Sequence, residues 1–377
     1  ELKVLDPACG SGAFPIGMLQ LLVRVYERLE ARFDPYKTKL QIIEKNIYGV
    51  DIEPMAVEIA RLRTWLSIIV DEEADSKKIK PLPNLEFKFV CANSLITLDQ
   101  SGQDTLLEME PELEKKLRDI RDAYFNTESL AKKKKLKSDY EKLVNVGEGL
   151  FGASEKSKQL KTYRPFDNET TASFFDPEFM FGITAYDVII GNPPYIKEYT
   201  NRDAFNNLRK SPYYQGKMDL WYLFASKSVD LLKDNGIECF IAQNNWVTSS
   251  GASKMRNKII SDTQILKLVD FGDYKIFETA GIQTMIMLFK KSVEKSVYTF
   301  DFRSLISTKP RFEDLISILN KTENSSVQYL APQISRNDFS DRKLVFNNQK
   351  NETILNKIHQ KSNFVFDPKK EVAQGIV

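Results

Sequence analysis

Two short stretches carry atoms arranged for chemistry. Asn192-Pro193-Pro194-Tyr195 follows the apolar run Asp187-Val188-Ile189-Ile190-Gly191. Its prolines fix φ and remove two N–H donors. Acceptors remain, the Asn192 amide oxygen and the Pro193 carbonyl, beside the flat face of Tyr195. Two acceptors and an aromatic face suit a planar amine such as adenine N6. The lone pair of such an amine is conjugated into its ring and is a poor nucleophile. Accepting both N–H groups in a fixed geometry localises that pair toward an electrophile. A plain structural turn is the alternative reading of Asn-Pro-Pro. It weakens because the tetrapeptide follows a buried-type strand, at the edge where open α/β sheets place their ligands.

The second stretch is Asp6-Pro7-Ala8-Cys9-Gly10-Ser11-Gly12-Ala13-Phe14, between a strand and a helix. Glycines at such a turn let the backbone approach a ligand, and the helix behind offers free N–H groups. The third glycine of the dinucleotide fingerprint is missing, so a pyrophosphate matches poorly. No Gly-Lys-Ser/Thr follows, which removes a nucleotide-triphosphate loop. Asp51, ending a second strand, is positioned to accept from both ribose hydroxyls of a nucleoside. Ile52 would lie against its adenine, while Glu53 is favoured at a helix start by the dipole. Asn93, ending a third strand, offers a carbonyl to an adenine amino group; otherwise it is an ordinary loop residue.

The elements that must hold these residues follow from periodicity. Strands are expected at Leu2–Asp6, Ile47–Asp51 and Leu85–Cys91, with helices over Ala13–Phe33 and Pro54–Val70. The rhythm resumes with strands at Ala185–Ile190, Ile237–Ala242, Ile265–Phe271 and Thr284–Phe289, and helices over Asp219–Leu232 and Ala252–Ile260. Alternating β and α elements imply a mostly parallel sheet covered on both faces. Between these halves, residues 104–149 are rich in Glu and Lys at helical spacing and include Lys132-Lys133-Lys134-Lys135. A solvated helical hairpin is the plain reading, and lysines leaning on a phosphate backbone the sharper one. From about Thr308 the chain reads as a connector with one helix near Glu352–Ile358.

Composition bounds the chemistry. The 377 residues hold 54 Lys plus Arg against 52 Asp plus Glu, a formal charge of +2 that neither suggests nor excludes nucleic acid. No apolar run reaches a membrane span, and no signal peptide is evident. Three cysteines make no disulfide framework and have no zinc spacing. A single histidine leaves little room for His-based metal sites or Ser–His–Asp catalysis. The start at Glu1 just before a strand, and the end at Val377 without a stop signal, read as a piece of a longer protein.

The Asp-Pro-Ala-Cys-Gly-Ser-Gly and Asn-Pro-Pro-Tyr pair, in this order, resembles the class-gamma N6-adenine DNA methyltransferases. Phe174-Phe175-Asp176-Pro177-Glu178-Phe179, Tyr186–Gly191 and Lys217-Met218-Asp219-Leu220-Trp221-Tyr222-Leu223-Phe224 narrow the likeness to single-chain type IIG restriction–modification enzymes. It covers residues 1–98 and 174–291. The resemblance implies a Rossmann-like α/β sheet, mostly parallel with an antiparallel final strand, plus the helical insertion. It implies S-adenosylmethionine as cofactor, held by Asp6, Ala8, Gly10 and Gly12, with Asp51 on the ribose, Ile52 on the adenine and Asn93 where the family often has Asp. It implies catalysis by Asn192, Pro193 and Tyr195, with Pro194 and Phe277 contacting a flipped-out target base; ordinary core is the alternative for Phe277. Methyl transfer would be direct, without a covalent enzyme intermediate, leaving the cysteines inert and reduced.

The implied organisation is a cofactor half at 1–98, the insertion at 99–173, a catalytic half at 174–307 and a connector at 308–377. The partners implied are double-stranded DNA, an N-terminal nuclease domain and a C-terminal target-recognition domain outside this chain, in the cytoplasm and away from membranes. This piece alone is expected to cut no DNA and to show little sequence specificity. The rival readings are a type I modification subunit, an RNA or protein-glutamine N-methyltransferase, and a non-enzymatic DNA-binding remnant.

Overall fold

The computed structural model describes residues 2–338 apart from 31–32, 71–83, 100–108, 128, 151–153 and 278–280. Beyond 338 it describes only 343–344, 346, 353–354, 357–358 and 360–362. The first half builds β1 (Val4–Asp6), α1 (Ala13–Leu29), α2 (Pro35–Lys45), β2 (Ile47–Asp51), α3 (Pro54–Ile69) and β3 (Phe89–Cys91). Local chemistry sets these bounds. The Asp34 side chain accepts from the Lys37 N–H at 3.1 Å and Pro35 opens α2, as a capping acid and a first-turn proline should. Pro54 opens α3 in the same way. The first part of the expected third strand is instead a 3-10 turn over Leu85–Phe87, and α2 was not expected at all.

The insertion forms α4 (Met109–Phe125), α5 (Leu130–Leu150) and α6 (Glu155–Thr162). It is more than a solvated hairpin. Leu113, Leu117, Tyr124, Tyr140 and Val144 join the main hydrophobic core, and Arg121 donates to the carbonyls of Glu178 and Phe179. Lys133 places its ammonium 5.5 Å from the Tyr124 ring centre, while Lys132, Lys134 and Lys135 face solvent. The insertion leaves and rejoins the sheet at one point. Ala92 and Ala172 form a parallel bridge, with the Asn93 N–H donating to Ala172 (2.9 Å) and the Ala172 N–H to Cys91 (3.0 Å).

The second half continues with α7 (Pro177–Phe181), β4 (Tyr186–Gly191), α8 (Trp221–Leu231), β5 (Leu232–Gln243), α9 (Ser253–Asp262), β6 (Thr263–Asp270) and β7 (Thr284–Lys291). Asp176 caps α7 by accepting from the Phe179 N–H at 2.7 Å. Two unexpected strands follow, β8 (Val297–Thr299) and β9 (Asp301–Leu305), and the stretch expected as a connector from about Thr308 also folds, into α10 (Phe312–Asn320), β10 (Val327–Leu330) and β11 (Gln333–Ser335). The helix expected near Glu352–Ile358 falls largely outside the described residues.

Among the described residues nine strands form one sheet in the order β10-β9-β6-β7-β5-β4-β1-β2-β3. The pairs among β1–β5 are parallel. The antiparallel strand expected at the end of the core is β7, held between β5 and β6 rather than at an edge. The sheet then extends through β9, parallel to β6, and β10, antiparallel to β9. Both faces of its parallel part are buried. Ile47 and Phe89 belong to the core cluster under α1 and α3, and their neighbours Tyr48 and Val90 to the main cluster on the other face, the period of two that a strand imposes.

Strands β2 and β3 and the turn after β1 meet closely at Gly49, where an added Cβ would lie 2.6 Å from the Phe89 ring and 3.0 Å from Cys9 Sγ. Gly49→Ala is therefore expected to lower stability by about 1–3 kcal/mol in urea unfolding, the range for overpacked cores. An unchanged midpoint would contradict this packing.

Candidate active site

Strand order reverses between β1 and β4. From β1 the chain builds outward to β2 and β3, and from β4 to β5 on the other side. Such a switch point opens a crevice beyond the carboxyl ends of the strands. Both sequence motifs emerge there. Val4 and Leu5 pair with Val188 and Ile189, so Asp6 and Gly191 end adjacent strands. Their contact is tight: a Cβ on Gly191 would come within 2.7 Å of Asp6 Oδ1. Only glycine leaves room for that carboxyl immediately before Asn192.

The glycine turn is shaped from three sides. Asp6 Oδ1 accepts from the Ala8 N–H at 3.1 Å, and Asp51 Oδ2 accepts from the Gly10 N–H at 2.7 Å. Gly10 has φ +51° with open space where a Cβ would stand. Gly12 has φ +83° and lies against Ala60 of α3, 3.0 Å from where its own Cβ would be. The other Asp51 oxygen accepts from the Glu53 N–H at 3.0 Å; each carboxylate oxygen retains a lone pair. Ile52 is 58% exposed, an apolar side chain left uncovered beside the turn. Ser94 donates to the Pro7 carbonyl at 2.5 Å. Asn93 has a structural job: its amide oxygen accepts from the Leu95 N–H at 3.1 Å.

Asp6 is buried, and its Oδ2 has no hydrogen-bond partner among the described residues. Burial, against the pull of the Ala8 N–H and with a smaller push from the Asp51 charge, raises its carboxyl to about 8. The three cysteines are free. Burial raises each thiol, Cys239 to about 11, so they are protonated at neutral pH.

In the second motif Pro193 is buried, Asn192 and Tyr195 are half-buried and Pro194 is exposed. The Tyr195 hydroxyl reaches both Asn192 Oδ1 and the Ile241 carbonyl, the latter at 3.0 Å. With one proton it donates to one acceptor at a time. The Asn192–Tyr195 loop is thus tied either to β5, through the Ile241 carbonyl, or back onto Asn192 Oδ1, the atom expected to accept the amine. Burial holds the Tyr195 phenol well above its usual range, with Asp219 adding to the shift. Phe277 is half-exposed in the β6–β7 loop and belongs to none of the core clusters.

Two features escaped the sequence. Asp219 is 3% exposed and bridges the residue after next to Tyr195, through the Lys197–Asp219 pairing. Burial pushes its carboxyl up to about 6. The N–H groups of Trp221, Ile196 and Leu220 pull the other way, yet neither carboxyl oxygen has a partner in full hydrogen-bond geometry. Its place in the Lys217–Phe224 stretch was the available signal. Second, a cleft of about 390 Å³ lies beside the loop, lined by Lys197, Asn244, Asn245, Lys275 and Gln283 among others. A larger one, about 540 Å³, sits in the insertion around Tyr140 and Arg164 and contains no candidate site residue. Among the described residues no cluster of three His, Cys, Asp or Glu could hold a metal, and no helix is long and apolar enough to cross a membrane.

Residues 45–277 match the Eco57I restriction-modification methylase family. A putative type II restriction enzyme and methyltransferase of Methanocaldococcus jannaschii is 27% identical over 363 residues, covering 78% of this chain and 30% of that protein. The type II restriction enzyme and methyltransferase RM.Eco57I of Escherichia coli is 24% identical over 300 residues, covering 77% of this chain and 24% of that protein. The chain thus spans under a third of the length of these curated relatives. Among solved structures, a nuclease-deletion mutant of the Type ISP restriction-modification enzyme LlaGI, in complex with a DNA substrate mimic, superposes with a TM-score of 0.51. It is 15% identical and covers 90% of this chain and 24% of its own, a likeness of fold.

Asp6 generates a pH dependence. A carboxyl raised in the folded state contributes stability that is fully present below its ordinary value of 3.8 and is lost as pH rises through about 8. Lys88 and Lys227, pushed down to about 7 by burial, act in the opposite sense. The measurement is therefore a difference: in thermal melts from pH 5 to 9, Asp6→Asn is expected to gain on the wild type as pH rises. A gap independent of pH would refute the raised carboxyl.

Proposed function

The chain belongs to the Eco57I restriction-modification methylase family, and from that premise we propose that it transfers a methyl group from S-adenosylmethionine to adenine N6 in DNA. The observation that carries this reading is the placing of Asn192 at the end of β4, next to the strand that ends in Asp6. An amine-accepting loop and a glycine cradle therefore open into one crevice.

The residues fit the cofactor. The unpartnered, buried Asp6 Oδ2 suits an ammonium group, which would draw the carboxyl into its charged form. The open space at Gly10 admits the backbone's close approach to a ligand. Free lone pairs on Asp51 suit two ribose hydroxyls, and the uncovered Ile52 suits a flat base. Asn93, already bonded to Leu95, has one lone pair for an amino group. When bound, the cofactor supplies an electrophilic methyl on a sulfonium.

The chain's own residues do the rest. Asn192 Oδ1 and the Pro193 carbonyl accept the two N–H groups of the target amine and turn its lone pair toward the methyl. Tyr195 offers its ring to one face of the base, and Phe277, outside the packed core, is the candidate for the other, with Pro194 at the rim. A base so enclosed must leave the duplex, and stacking offsets an unstacking cost of a few kcal/mol. No side chain need be a strong base, because an amine alkylated by the cofactor's methyl, with the thioether leaving, would be acidic enough to release its proton to water.

The type IIG reading, with a nuclease domain upstream and a target-recognition domain downstream, rests on relatives named as restriction enzyme and methyltransferase in one chain. In the proposed division, residues 1–98 and 174–307 are the two halves of the core and 99–173 the insertion. The pairing of β9 onto β6 and of β10 onto β9 supports carrying the core past residue 307, to Leu330 at least.

In the full-length protein, Asn192→Ala is expected to lower methyl transfer to plasmid DNA at least about a hundredfold, the scale for losing one transition-state partner, with cofactor binding retained. Wild-type turnover would sink the amine-gripping role. Asp51→Ala is expected to weaken cofactor binding about 10- to 100-fold by calorimetry, as for lost bonds to a charged group. Unchanged affinity would count against the ribose role.

A further inference from the structure

The segment between the catalytic loop and α8 has no assigned part in this reading, yet its construction is specific. Residues 196–217 carry five cations, Lys197, Arg202, Arg209, Lys210 and Lys217, against two acids, Glu198 and Asp203. Only a few side chains anchor it. Phe205 and Leu208, in a 3-10 turn over Asp203–Leu208, are buried. The return is tied to the start of α9: Gln215 donates to the Ser250 carbonyl (2.7 Å) and accepts from the Lys254 N–H (2.7 Å). Lys254 in turn donates to the carbonyls of Pro212 (3.0 Å) and Tyr214 (2.8 Å). Gly251 admits this approach, since a Cβ there would lie 2.1 Å from the Lys217 carbonyl.

These ties leave the cations facing outward around a cleft of about 390 Å³ lined by Tyr199, Arg202, Arg209, Tyr214 and Lys217, with Glu198. Glu198 is occupied internally. It accepts from the Tyr214 hydroxyl and from the Lys217 N–H (2.7 Å), and its carboxylate stands 3.9 Å from the Arg209 guanidinium. Arg202 and Lys217 are exposed, and Tyr199 is 73% exposed with the Lys197 ammonium 5.8 Å from its ring centre. A fixed cleft with more cations than acids in its lining and an uncovered aromatic ring is suited to a sugar–phosphate chain.

We infer that residues 197–217 form a backbone clamp for nucleic acid, in which Arg202, Arg209 and Lys217 hold phosphates of the strand carrying the target base while Lys197 and Tyr199 guide it toward Tyr195. This rests on the DNA reading of the same site and adds to it where the strand is gripped. The grip is independent of sequence, because phosphates carry no base identity.

The test uses the full-length protein. Duplex binding is followed by fluorescence anisotropy across a salt series, for wild type and for Arg202→Gln/Lys217→Gln, with target and non-target duplexes. Cofactor affinity measured by calorimetry reports on folding. The clamp is supported if the slope of log affinity against log salt falls by about one per phosphate contact removed, with weakening of both duplexes to a similar extent and unchanged cofactor affinity. An unchanged slope, or a loss confined to the target duplex, overturns it. The two readings separate: wild-type protein whose slope depends on these residues but which methylates no adenine would retire the methyl-transfer reading and keep the clamp. Methylation with an unchanged slope would do the reverse.

Discussion

Everything at the site depends on how closely β1 and β4 run together. The parallel pairing of Val4 and Leu5 with Val188 and Ile189 brings the Asp6 carboxyl against Gly191, with no room for a Cβ between them. One strand ends in a glycine turn able to receive a ligand and the other in two carbonyl acceptors. Neither motif would mean much alone. Because the strands are neighbours and the strand order reverses between them, the two loops face a common crevice. The buried Asp6 carboxyl is the electrostatic cost of that closeness, and a cationic ligand is what would relieve it.

The Asn192–Tyr195 loop is held from behind as well as from its strand. Tyr195 donates across to β5 or to Asn192, and Asp219 backs the same loop through the Lys197 bridge. Rigid placement of acceptors is what pre-organised catalysis requires. The prolines fix φ, the tyrosine fixes the amide, and the sheet fixes the loop.

Much of this was legible in the sequence where local rules dominate. Glycine turns, the Glu53-Pro54 helix start, and apolar runs such as Ile47–Val50 declare themselves within a few residues, so both motifs were placed at strand ends. The misses share another cause. Helix α2 has a weak apolar pattern, with Thr38 supplying part of its buried face. The turn over Leu85–Phe87 shares its alternating apolar pattern with β3 but closes local bonds of its own, Phe87 N–H to Asn84 and Lys88 N–H to Leu85. The additions at the sheet's far edge, β9 and β10, are short and polar enough to read as loop; β6 offers an edge to β9, and β9 in turn to β10. The roles of Asp219 and the Asn244–Asn245 cleft come from residues distant in sequence meeting in space. No local pattern announces such meetings.

The bridge between Ala92 and Ala172 carries a consequence for how such a chain changes over time. The residues on either side are hydrogen-bonded neighbours, so whatever lies between them begins and ends at one place. Doubling the length of such an excursion costs only about 0.6 kcal/mol of closure entropy, and the sheet's pairings are untouched by it. The helices α4 to α6 are therefore a replaceable passage in an inherited text. Descendants can lengthen, shorten or exchange them provided that they supply a few apolar side chains to fill the space now taken by Leu113, Leu117 and Tyr140.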